Sequence, residues 1–141
     1  MKSIKILVFA LVLGLSYSLF AEDKSDIEQT ITSYVKSIDT RNIDLLNKTV
    51  ISNASIVTVN NLTNNLDNYS SSKLVSLVKD GQKGGWQRNV NIGNVEINGN
   101  TAVAKVDITD NKIKESGFVS LVKDNGSWKI ASELSTIQLN K

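Results

Sequence analysis

From Trp86 to Leu139 apolar and polar side chains alternate with a period of two, and turn signals cut the run into four pieces. That period is the mark of β-strands with one face buried. Asn98-Gly99 and Asn125-Gly126 are strong hairpin signals, because tight two-residue turns hold their central residues at positive φ. Asp110-Asn111 suits a third turn, since Asp and Asn tolerate the same region. The pattern predicts a four-stranded antiparallel meander. About its first turn Ile97 is set against Asn100 and Val95 against Ala102. The apolar phase then slips by one residue, from Val95 and Ile97 to Val90 and Ile92. A one-residue slip would turn the strand inside out, so a β-bulge is expected at Gly93-Asn94. Ile92 then meets Ala104, and Val90 meets Val106. The inner face continues through Ile113, Glu115, Gly117, Val119 and Leu121 to Trp128, Ile130, Ser132 and Leu134. The outer face carries Val103, Lys105, Asp107, Lys114, Ser116, Phe118 and Val122, then Lys129, Ala131 and Glu133.

Upstream the period changes to 3.6. Ile27, Ile31, Tyr34, Val35 and Ile38 form one helical stripe, opened by the capping box Ser25-Asp26-Ile27-Glu28. After a break at Asp39 to Asn42, Ile43, Leu46 and Val50 define a shorter helix with Asn42 as its cap. Ser55 to Asn60 reads as a short strand, and Asn61 to Tyr69 as a polar loop. Ser70 or Ser71 caps a third helix with Leu74, Leu77 and Val78 inward, stopped at Gly81. Lys83-Gly84-Gly85 leads into the sheet. Helices first and strands afterwards define an α+β domain: three helices packed on one face of a curved, bulged antiparallel sheet. Such a sheet encloses a cone, whose open end is a natural ligand pocket.

The extreme N-terminus belongs to a different pattern. A basic start at Met1 to Lys5, an apolar run from Ile6 to Leu15 and a small-residue exit to Ala21 have the layout of a secretory signal peptide. Residues 1–21 are therefore expected to be a leader cut after Ala21, or else after Ser18, with 22–141 as a single domain. The apolar run is short for a bilayer span of about 20 residues, so no stable anchor is expected after cleavage. A periplasmic or secreted protein follows. The 141 residues hold 16 basic and 14 acidic side chains, and the leader takes Lys2 and Lys5 with it. What remains is near neutral, without the basic stripe that nucleic-acid binding needs. The chain has no Cys and no His. Disulfides, a Cys-His or Ser-His-Asp nucleophile and the usual structural zinc site are thereby excluded. No metal or cofactor is expected, and the glycines at 81, 84 and 85 match no phosphate-binding fingerprint.

The element order resembles the nuclear transport factor 2-like superfamily, which includes ketosteroid isomerase and SnoaL-like polyketide cyclases. Residues 26–141 are most similar to the exported bacterial proteins grouped as "putative lumazine-binding". The stretches that carry the resemblance are Asp26-Ile27-Glu28 with Tyr34, residues 95–104 (VEINGNTAVA) and residues 118–130 (FVSLVKDNGSWKI). It implies a cone-shaped pocket and a pteridine-like or other aromatic ligand, and supplies no motif that fixes catalytic acids onto this chain.

Candidate chemistry is accordingly sparse. Glu115 falls on the inner face, where a buried carboxyl could act as acid or base, or else at a solvated strand end. Asp107 takes its place if the register moves by one residue. Tyr34 is either an oxyanion partner or a core tyrosine with a satisfied hydroxyl. Trp86, Trp128 and Tyr69 could stack on a flat ligand, although packing in the sheet also explains Trp128. Tyr34, Trp86, Glu115 and Trp128 are thus the candidate ligand contacts. Outside, Val103, Phe118, Val122 and Ala131 form an apolar patch suited to a homodimer.

Overall fold

A computed structural model describes the backbone of residues 2–141 and the side chains of residues 19–141. The leader expected over residues 1–21 lies, up to Ser18, outside the described side chains. Helix α1 (Lys2–Asp39) is followed by α2 (Ile43–Thr49), β1 (Val50–Asn60), β2 (Asn65–Ser70) and α3 (Ser71–Lys79). The meander follows as β3 (Asn89–Asn98), β4 (Thr101–Thr109), β5 (Ile113–Asp124) and β6 (Ser127–Leu139). The six strands form one open sheet in the order β2-β1-β6-β5-β4-β3, with the helices packed against it. The α+β class holds, but the sheet is mixed, because β1 and β6 run parallel. β1 extends the short strand read at Ser55 to Asn60, and β2 falls in the stretch read as a loop; both join the meander in one sheet.

Local chemistry explains most boundaries. Asn42 caps α2, its Oδ1 accepting from the Leu45 N–H at 3.0 Å, and Ser70 caps α3 through the Lys73 N–H at 3.2 Å. The capping box at Ser25 is not used as a start. Helix α1 runs straight through it, since residues 19–24 contain neither Gly nor Pro, and Glu28 pairs with Lys24 at 3.8 Å instead. The polar stretch 61–69 is not a loop throughout. Asn60 Oδ1 accepts from the Leu62 and Thr63 N–H groups and Asn64 adopts φ 57°, closing a hairpin that pairs β2 with β1. Its inward residues are Asp67 and Tyr69 while Leu66 is exposed, so the apolar alternation that marks a strand is inverted.

The turns fix the register. Asn125 and Gly126 have φ 49° and 81°, the two positive values of a type I′ turn between Asp124 and Ser127. At the first hairpin the loop is Gly99-Asn100, with Asn98 opposite Thr101 and φ positive at Gly99, its first position. Ile97 therefore opposes Ala102, and Val95 opposes Ala104, two residues from the expected pairing. An even displacement keeps every face. Asp110 closes the remaining turn, its Oδ1 accepting from the Lys112 and Ile113 N–H groups at 2.7 and 2.8 Å.

Two bulges bend the sheet. The first is the expected one: residues 93 and 94 sit between the Ile92–Val106 and Val95–Ala104 pairs. The second was not expected. Ser120 pairs with Ser132 but Leu121 with Ile130, so Ala131 is extra and β6 reverses its faces there. Trp128 and Ile130 point inward before it; beyond it Glu133 and Ser135 are buried and Leu134 is 58% exposed. The assignment of Leu134 to the inner face and Glu133 to the outer is thus corrected. A glycine makes this end of the sheet close-packed: a Cβ on Gly117 would collide with the Leu134 carbonyl and the Ser135 backbone. The core joins Ile27, Ile31, Tyr34, Val35 and Ile38 of α1 to Ala102, Ala104, Val106, Ile108, Val119, Leu121 and Ile130 of the sheet. Burying each large member contributes about 1.5–3 kcal/mol against an exposed state.

Candidate functional site

Where the sheet widens beyond the second bulge, the core opens into a cavity of about 190 Å³. Its apolar wall comes from every layer: Val35 and Ile38 of α1, Leu74 of α3, Ile56 of β1, Ile108 of β4 and Ile137 of β6. The polar wall is built on β5 and β6. Glu133 is 6% exposed, and its Oε2 accepts the Tyr34 hydroxyl at 2.7 Å. Glu115 Oε1 accepts from Ser135 Oγ at 2.6 Å, and Ser135 in turn meets Thr58 Oγ1 at 3.1 Å. Arg88, in the segment before β3, reaches the site from the mouth. Its Nε and Nη2 both donate to Asp39 Oδ1 at 2.7 Å, while Nη1 lies 3.5 Å from Glu115 Oε2. Trp86, 42% exposed, lies under that guanidinium with 4.7 Å from carbon to ring centroid. Lys83 stands at the rim over the Tyr69 ring, 5.0 Å from its centroid.

Electrostatics single out Glu133. Burial pushes its carboxyl up to about 7, and the neighbouring Glu115 charge adds to the shift. The Tyr34 hydrogen bond and the Lys83 charge pull the other way without cancelling it. Burial, then the Glu133 charge, holds the Tyr34 hydroxyl well above its ordinary value, so it stays a donor. The site can therefore offer a hydrogen-bond donor, a shared proton and at least one carboxylate within an apolar chamber.

Of the sequence candidates, Tyr34, Trp86 and Glu115 come together around this cavity. Trp128 does not. It is packed in the narrow end of the core, and its Nε1 donates to Asp23 Oδ1 at 2.9 Å, beside the Lys123–Asp23 ion pair. That pair, Lys123 before Trp128, holds the Asp23 carboxyl below its usual range. Asp107 lies outside as well, its side chain directed away from the cavity to Lys114 Nζ at 2.9 Å. Tyr69 stays at the rim, where it stacks on Lys83 rather than entering. Among the described residues no group of three or more side chains could hold a metal. None of their helices is long and apolar enough to cross a membrane.

The residues missed were Glu133, hidden by the second bulge, and the pair Asp39 and Arg88. One signal pointed to Arg88. The basic residues are lysines except Arg41 and Arg88, and both arginines do work a point-charged ammonium cannot. Arg41 donates to the carbonyls of Gly81, Lys83 and Gly84, fastening the segment that carries Lys83 and Trp86. A Cβ on Gly84 would meet the Ile38 carbonyl, so the same segment lies directly on α1.

Helices on an open, bulged sheet around a chamber at its wide end define the nuclear transport factor 2-like class, and solved structures of that class superpose on the chain. An NTF2-like protein of unknown function from Silicibacter pomeroyi matches with a TM-score of 0.71 at 17% identity, covering 86% of this chain and 98% of its own. Its counterpart from Shewanella baltica gives 0.69 at 18%, covering 86% and 97%. A ketosteroid isomerase-like protein from Erwinia carotovora gives 0.60 at 14%, covering 80% and 94%. The chain belongs to the family described as "Putative lumazine-binding", which matches residues 22–134. No curated protein matches it.

Proposed function

We propose that this is an exported, non-catalytic domain that binds a small, largely apolar or aromatic molecule in the cavity between α1, α3 and the sheet. The observation that carries this reading is the chamber itself: isoleucine and leucine walls facing one cluster of polar groups, with an exposed tryptophan at the mouth. A few oriented polar groups in an apolar pocket are what a binding site needs. About 190 Å³ is roughly the liquid volume of six waters, and below the about 300 Å³ at which drug-sized sites begin. That favours a guest of one or two rings over a sterol, and a pteridine fits the family's description. Export rests on the leader pattern at residues 1–21. Homodimerisation through the outer face is part of the proposal: Val103 and Phe118 are exposed there, and Leu134 joins them opposite Phe118. Val122 and Ala131 are half-buried and lie at its edge.

The test is native mass spectrometry of protein recovered from its own compartment, with thermal shifts from pteridines and single-ring aromatics. A retained or stabilising small molecule supports binding; the absence of both overturns it. A second reading is favoured by one observation, a Glu133 carboxyl held near neutrality beside a tyrosine donor, which suits proton transfer in an isomerase- or cyclase-like reaction. Glu115 or Glu133 would be its base, and Glu133→Gln would abolish turnover while leaving ligand-induced stabilisation in place.

A further inference from the structure

The cavity's polar wall is short of positive charge. Asp110, Glu115 and Glu133 line it, against Arg88 and Lys83. Arg88 is already committed. Two of its nitrogens serve Asp39, the third faces Glu115 at 3.5 Å, and its plane rests on Trp86. Lys83 lies at the rim on Tyr69. Asp110 spends its carboxylate on two backbone N–H groups of its own turn. Glu133 is the exception. It is 94% buried, and among the described residues only Tyr34 donates to it, at Oε2. Its other polar neighbour is the Glu115 carboxyl, with which it can share a hydrogen bond only while one of the two holds a proton. A buried carboxylate in that position must be neutralised by a proton or paired with a cation.

We infer that the cavity takes a flat organic cation, an amidinium, guanidinium or protonated amino-heteroaromatic ring, whose nitrogens bind the Glu115–Glu133 pair in place of a proton. The inference rests on the cavity being a binding site and names the chemistry of the guest. A planar N–H fork matches a carboxyl pair as arginine matches carboxylates, while the ring lies against Ile56, Ile108 and Ile137. Glu133 is faced by Tyr34 from α1, Glu115 from β5 and Lys83 from the mouth, and no histidine exists to share the proton. Each cation bound therefore releases up to one proton from the carboxyl pair to the buffer.

Benzamidine, benzamide and benzoate form the test, being nearly equal in shape and differing in charge. Calorimetry on the full protein is run in two buffers of different ionisation heat, from pH 6 to pH 8, beside Glu133→Gln. The expected result is benzamidine bound about tenfold or more tighter than benzamide, a preference that grows with pH, buffer-dependent heat from proton release, and loss of the preference in Glu133→Gln. Equal affinity for benzamide, or tightest binding of benzoate through Lys83, overturns the inference and leaves the cavity a binding site. If neither these three nor any pteridine or indole binds, the binding reading falls and the inference with it. Should Glu133→Gln fail to fold, the charge series and the proton release of the unaltered protein still decide.

Discussion

The two ends of the domain's interior are built from the same strands and behave differently. At the narrow end Leu121, Ile130 and Trp128 join Ile27 and Ile31 of α1 in an apolar core, where the Trp128 N–H is met by Asp23 and its carbonyl by the Thr30 hydroxyl. At the wide end the same β5 and β6 present Glu115, Glu133 and Ser135 to a cavity. One inserted residue, Ala131, separates the two regimes. Local bulging thus converts a strand from core wall to polar wall without altering the fold.

Three measurements test that contrast. At the narrow end Leu121→Ala should cost about 2–5 kcal/mol in denaturant unfolding, because a 1% exposed side chain leaves a void its neighbours cannot fill. A cost under about 1 kcal/mol would mean that the narrow end is loosely packed. The wide end should instead respond to pH. Glu133 keeps its proton in the fold up to about pH 7, whereas an unfolded glutamate loses it near 4.5. Between those values the native state binds more protons, so stability falls as pH rises and levels off above pH 7, by on the order of 3 kcal/mol in all. Glu133→Gln should flatten the curve, and an unchanged slope would place the titration elsewhere. Smaller again, Gly117→Ala should cost about 1–3 kcal/mol through collision with the β6 backbone. It should also loosen the Tyr34–Glu133 contact, and because that hydrogen bond favours the ionised carboxyl, its loss is read as a raised midpoint of the same pH curve.

The two bulges also explain what could be read in advance. The one at residues 93–94 was legible because it interrupts an apolar alternation, and the phase error can be counted in Val90, Ile92, Val95 and Ile97. The one at Ala131 leaves no such trace. Beyond it the buried residues are Glu133 and Ser135 and the exposed one is Leu134, the reverse of what alternation reports. The sequence therefore located Tyr34, Trp86 and Glu115 but put Glu133 on the wrong side. Burial of Glu133 depends on contacts with Tyr34 and Glu115, 99 and 18 positions away, which no local pattern carries. Strand β2 was lost for a similar reason, its inward residues being polar or aromatic and its outward one leucine.

Strand β6 lies between β1 and β5, and every other strand precedes it in the chain. Its parallel partner β1 is separated from it by about seventy residues, so the centre of the sheet cannot close until β6 has arrived. The β1–β2 hairpin and the meander each pair through local turns, and the β1–β6 contact alone joins them. The cavity, walled by Ile56 of β1 on one side and by Glu115 and Glu133 of β5 and β6 on the other, is therefore completed only in that closing step.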